Sequence, residues 1–127
     1  MNLLPTRIHG FVDYMTAAAL IALPVAFRYG AGAQTWLPML LGCGVLSYSL
    51  ITDDELGLTP VVPMPMHLAF DAAGGLLLAA SPWIFGFADV VWIPHVAVGL
   101  FEVAMAAITR RHPSGVPHAG GRLGVSA

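Results

Sequence analysis

The chain has 127 residues, a single cysteine and a formal net charge of -2. Hydrophobic residues make up 57% of it and charged residues only 9%, against about 25% charged in an ordinary soluble domain. This composition leaves room for one domain, excludes an intrachain disulfide or a CxxC motif, and offers no basic patch for nucleic acid. Too few charges exist to solvate a globular surface of this size, so a lipid bilayer is the expected surrounding.

Residues 1–7 form a short arm ending in Arg7. Residues 8–27, IHGFVDYMTAAALIALPVAF, are apolar over about 20 positions, long enough at 1.5 Å per residue to cross a ~30 Å hydrocarbon core. Residues 28–35, rich in glycine, read as a turn. Trp36-Leu37-Pro38 opens a second apolar run to about Thr52, with proline near the first helical position where its missing N–H costs nothing. The linker 53–65 carries three acids and three prolines and cannot continue a helix. A third helix is expected over 66–87. After a turn at Ala88-Asp89, Trp92-Ile93-Pro94 repeats the Trp-x-Pro opening, and a fourth helix continues to about Thr109. Residues 113–127, Gly/Pro-rich and polar, are expected to be a flexible tail.

The third helix is a copy of the first. Aligned without a gap, His67 meets His9, Asp71 meets Asp13, Pro82 meets Pro24 and Phe85 meets Phe27. A mid-chain copy also argues against reading the first apolar run as a cleaved signal peptide. Two tandem helical hairpins, about 8–53 and 66–110, thus predict an all-α four-transmembrane-helix bundle over 1–112, its repeats related by an axis along the membrane normal. Arg7, Arg110, Arg111 and Arg122 fall on one side and only Arg28 on the other. By the positive-inside rule both termini are expected in the cytoplasm, with the protein multi-pass in the inner membrane. Trp36, Trp83 and Trp92 then gather at the outer interface, where amphipathic rings prefer to sit.

Ser81-Pro82-Trp83, closing the first helix of a two-helix repeat, resembles the SPW-repeat family of small bacterial and archaeal membrane proteins. The tripeptide is intact in the second unit; in the first its place is held by Leu23-Pro24-Val25, so only the proline remains. The resemblance covers nearly the whole chain apart from the tail. It implies integral membrane location and carries no established activity.

Ionisable groups inside a membrane cost about 2.5–3.5 kcal/mol each at a helix centre and need a reason. His9 and Asp13, like His67 and Asp71, are spaced i,i+4 and share a helix face. The first reading is structural, each histidine donating to its own aspartate and holding its hairpin in place. The second is a two-His, two-carboxylate site for Zn²⁺ or another divalent ion, extended by Asp53, Asp54 and Glu55. A proton or ion relay drawing on Glu102 is a third. A haem held by His9 and His67 is the weakest, because both histidines lie near the helix entry without a haem-sized pocket signal. Glu102 on its own reads as a hydrogen-bonded structural acid. His95 is expected to be solvated, and Cys43, between two glycines, to be a small buried residue. Gly42, Gly44, Gly74 and Gly75 are expected to let helix backbones approach, within the bundle or against a membrane-protein partner or second copy.

No catalytic triad, phosphate loop or haem-attachment motif is present. The expected function is therefore a small structural or accessory membrane protein rather than an enzyme, with no resident cofactor. The alternative is an ion- or metal-binding or transport protein using His9, Asp13, His67 and Asp71.

Overall fold

A computed structural model describes residues 2–113; the proposed tail lies almost entirely outside the described residues. Four helices follow one another: α1 (Thr6–Ala26), α2 (Ala33–Leu50), α3 (Met64–Ile84) and α4 (Ile93–Ile108). Strands are absent among the described residues, beyond two isolated bridges. The closest packing is within hairpins, α1 against α2 and α3 against α4, with α2 meeting α3 across the repeats.

Prolines set the helix entries. Pro5 and Pro63 sit at equivalent places just before α1 and α3, both extended at φ near -62° and -63°. Their fixed φ halts the strap and releases the helix. α3 therefore starts at Met64, earlier than the sequence suggested, and ends at Ile84, short of Phe87. Its exit is a Schellman turn: Gly86 takes the left-handed conformation at φ 71°, and Phe87 N–H donates to the Pro82 carbonyl at 2.8 Å. The first repeat makes the same turn with Arg28 at φ 50°, and Tyr29 N–H donates to the Pro24 carbonyl at 3.0 Å. The two repeated prolines thus occupy the turn-accepting position of both helices.

Within each hairpin small residues bring backbones together. A Cβ added to Gly99 would lie 2.6 Å from Ala79 N, and one added to Gly42 would lie 2.9 Å from the Ala17 carbonyl oxygen. Gly75 meets Gly99 on the same terms, at 2.6 Å from its carbonyl oxygen. Gly44 and Gly74 make no such approach within the chain: a Cβ at either meets nothing within 4 Å. They lie one residue off the contact face, because a helical residue turns by about 100° per step. Cys43 is exposed rather than buried for the same reason.

Between the repeats the ties are swapped. The strap before α1 bonds to the end of α4, through Leu3 and Leu4 N–H to the Ile108 carbonyl at 2.8 and 2.9 Å and Arg110 N–H back to the Leu4 carbonyl at 3.0 Å. The strap before α3 bonds to the end of α2 in the same pattern, Val61 and Val62 to Ile51 and Asp53 to Val62. Each repeat's first helix is therefore fastened to the other repeat's second helix.

The distribution of polarity is inverted. Among the described residues the fully buried set includes His9, Asp13, Asp54, His67, Asp71, His95 and Glu102. Large apolar side chains on all four helices face outward, among them Phe11, Leu40, Phe70, Trp83, Ile93 and Phe101. By length and apolarity α1 alone passes as a membrane span; α4 is apolar but shorter. Of the four membrane spans expected, length and apolarity support that one helix.

Candidate metal centre

Each His-x3-Asp pair sits in the first turns of α1 or α3, where the swapped straps bring the two helix entries together. The i,i+4 spacing puts each histidine above its own aspartate. All four side chains are buried, and one ligand atom from each lies within 4.8 Å of every other. The stronger contacts run between repeats, which corrects the expectation that each histidine serves its own aspartate. His9 Nε2 lies 2.8 Å from Asp71 Oδ2 and His67 Nε2 2.6 Å from Asp13 Oδ2, while both same-helix contacts are 3.2 Å. Two nitrogens and two oxygens alternate around a closed ring.

Two threonines fix what the histidines present. Thr52 Oγ1 donates to the Tyr48 carbonyl at 2.6 Å and Thr109 Oγ1 to the Met105 carbonyl at 2.6 Å. A hydroxyl has one proton, and in each case the carbonyl takes it. Thr52 Oγ1, 2.7 Å from His67 Nδ1, must then accept, as must Thr109 Oγ1, 2.8 Å from His9 Nδ1. Both histidines therefore carry a proton on Nδ1 and turn Nε2 to the ring. A bare Nε2 lone pair facing carboxylate oxygens at these distances is repulsive; a proton or a metal cation must stand between them.

The outer partners are unequal. Tyr48 OH donates to Asp71 Oδ1. Asp13 Oδ1 is buried and has no hydrogen-bond partner. The His9 and His67 rings meet edge to face at 5.4 Å, and Tyr48 packs edge to face on His67 at 5.0 Å.

Imidazole and carboxylate ligands in this number are compatible with a metal centre. A ligating histidine commonly donates its other ring N–H to an oxygen that fixes tautomer and orientation. Four ligands at 2.0–2.1 Å from a tetrahedral ion stand about 3.3 Å apart. The observed edges of 2.6 to 3.2 Å require the ring to open by a few tenths of an ångström. The chemistry of the donor set fits a divalent ion such as Zn²⁺, whose charge the two carboxylates would balance.

Other expected site residues fall outside the ring. Asp54 Oδ1 accepts from Leu56 and Gly57 N–H at 3.0 and 2.6 Å, capping the linker turn, and burial pushes its carboxyl pKa up. Glu55 accepts from the Thr6 hydroxyl at 2.7 Å. The metal-capable group among the described residues has four members and includes neither. Glu102 is buried at 3% exposure, and neither carboxylate oxygen of the expected hydrogen-bonded acid meets hydrogen-bond geometry. His95 is buried, not solvated, with Nε2 3.0 Å from the Gln34 carbonyl and its ring on Phe87 at 4.9 Å. Ser81 is buried and donates to the Leu78 carbonyl at 2.7 Å, Pro82 is buried, and Trp83 points outward near Trp92.

Thr52 and Thr109 were missed, although a signal existed. Ile51-Thr52 recurs as Ile108-Thr109 at the far end of each hairpin. A repeated threonine at a helix terminus reads first as a cap, and only the folded chain places it behind a histidine.

No curated protein and no solved structure matches the chain. Ser81-Pro82-Trp83 at the end of α3, the proline-anchored turn it shares with α1 and the tandem hairpins agree with a family-model match to the SPW repeat domain over residues 7–109, and the chain belongs to that family.

Proposed function

We propose that this chain is a small integral membrane protein whose four helices span the bilayer. In this reading its two repeats are clasped by one divalent transition-metal ion held by His9, Asp13, His67 and Asp71. Membership of the SPW repeat family and the outward-facing apolar side chains support the membrane reading, since a polar interior with an apolar exterior suits lipid as solvent. Arg7, Arg110 and Arg111 share one end of the bundle, which favours cytoplasmic termini.

One observation carries the metal reading. Two threonine hydroxyls, each committed to a backbone carbonyl, leave both histidines with a protonated Nδ1 and an Nε2 turned to the two carboxylates. The role is a structural clasp joining the swapped hairpins; no substrate or reaction is implied. A second reading is favoured by the 2.6 and 2.8 Å edges, which are ordinary charge-assisted hydrogen bonds. In it the ring is a metal-free pair of imidazolium–carboxylate bridges with the same structural role.

The deciding experiment is elemental analysis of the full chain purified in mild detergent, beside the His9→Ala/His67→Ala double variant. About one equivalent of zinc or a similar ion, lost in the variant, supports the metal clasp. Metal-free protein whose thermal stability is unmoved by added Zn²⁺ or by a chelator leaves the ion-pair clasp.

A further inference from the structure

Beside Asp71 of the ring lies a partly open cavity of about 110 Å³ to which all four helices contribute, its lining including the exposed Leu40 and Phe70. Leu20 comes from α1, Val45 and Tyr48 from α2, Asp71 and Leu78 from α3 and Glu102 from α4. Its wall is mostly aliphatic, so the two carboxylates are its chemical features. Glu102 is 3% exposed and neither of its oxygens makes a hydrogen bond. The Thr16 hydroxyl stands beside it as a donor, outside strict hydrogen-bond geometry.

A buried carboxyl without a partner is costly in either protonation state. Ionised, it needs a counter-charge; neutral, its O–H needs an acceptor. The cavity has room for several waters at roughly 30 Å³ each. Charge counting narrows the occupant. With a divalent ion, two neutral histidines and two carboxylates, the ring is neutral. Without metal, two imidazoliums and two carboxylates are again neutral. In both states an ionised Glu102 adds one uncompensated negative charge beside the neutral ring, and one monovalent cation cancels it.

We propose that this cavity is a second cation site, taking a sodium-sized monovalent ion with bound water against Glu102, Asp71 and the Tyr48 hydroxyl. Carboxylate, hydroxyl and water are hard oxygen ligands, unlike the nitrogen-bearing ring, so the two sites select different ions. The pseudo-symmetric repeats do not duplicate it. The equivalent region of α2 carries Val45 and no acid, so Glu102 breaks the symmetry of an otherwise twofold interior. The inference does not depend on whether the ring carries metal.

The test uses the full chain in mild detergent at pH 8, with NaCl replaced by choline chloride at constant ionic strength. An ion that binds only the folded state stabilises by mass action. Above the dissociation constant, each tenfold increase in Na⁺ should raise the folding constant about tenfold, and the melting temperature of the wild type should climb with log[Na⁺]. Glu102→Gln should abolish that slope while its zinc content matches the wild type. Retention of ²²Na⁺ by the wild type, displaced by excess unlabelled Na⁺, reads the same site without any variant. Coincident melting curves in sodium and choline, with no retained ²²Na⁺, would overturn the proposal and leave a neutral, hydrated Glu102 as the occupant of the cavity.

Discussion

Thr109→Val removes one hydroxyl from behind His9 and keeps the shape of the side chain. Two hydrogen bonds disappear. The bond to the Met105 carbonyl is worth about 1 kcal/mol net, and that carbonyl still accepts Thr109 N–H at 3.1 Å, so it is not orphaned. His9 Nδ1–H fares worse: it is fully buried and loses its acceptor, at a cost of about 1–3 kcal/mol. The expected loss is therefore about 2–4 kcal/mol, read as the shift in unfolding free energy in mixed detergent micelles. Thr109→Ser keeps the hydroxyl and should lose far less. Thr52→Val should repeat the effect at His67, because Thr52 Oγ1 makes the equivalent pair of bonds. If a metal occupies the ring, affinity should also fall about 10–100-fold in each valine variant, the usual effect of losing an outer-shell partner. ¹⁵N spectra of the imidazoles give a direct readout, with Nδ1 protonated in both wild-type rings. Valine variants within about 0.5 kcal/mol of their serine controls, or a wild-type spectrum with bare Nδ1, would refute the tautomer assignment and the clasp built on it.

Asp71→Asn should destabilise more than Asp13→Asn. Asp71 takes bonds from His9 and Tyr48 and faces His67, whereas Asp13 Oδ1 has no partner to lose. Breaking a buried ion pair by changing one member costs about 3–5 kcal/mol, and denaturation in detergent should rank the two variants in that order. Gly99→Leu should separate α3 from α4, since even a Cβ there meets Ala79 N at 2.6 Å, while Gly74→Ala should leave the melting temperature nearly unchanged. Asp54→Asn should stabilise the protein above the raised pKa of the Asp54 carboxyl. A carboxyl whose pKa is higher folded than unfolded favours the native state while protonated, and that benefit fades as pH rises through the folded pKa. The gain of the asparagine variant should therefore vanish on acidification, in melts run from about pH 4 to pH 8. A gain that persists or grows at low pH would show that burial does not govern this carboxyl.

Much of the fold was legible because its signals are local. Apolar runs of helical length, prolines at the entries and glycines at the turns are read within a few residues, and they located four helices to within about three positions. The internal repeat was legible because His9, Asp13 and Pro24 recur as His67, Asp71 and Pro82 in one register. That register also put both His-x3-Asp pairs at the same level of the bundle before any geometry was known. Errors arose where a face had to be chosen. Cys43 sits in a stretch apolar all round, and such a stretch holds no periodicity to tell the inner side from the outer. His95 was misjudged because a histidine near a helix start carries no local sign of the Gln34 carbonyl that reaches it from the other hairpin.

Residue identity alone determined that an imidazole and a carboxylate would share one face at the start of α1 and again at the start of α3, and that the repeats would be hairpins. Which histidine meets which aspartate was decided only in three dimensions. The straps before α1 and α3 bond to the ends of α4 and α2, and this exchange carries Thr109 behind His9 and Thr52 behind His67. A hydrogen bond between residues 100 positions apart leaves no trace in sequence spacing. Glu102 follows the same logic: the sequence placed an acid on the fourth helix, but only packing by all four helices made the cavity that it lines.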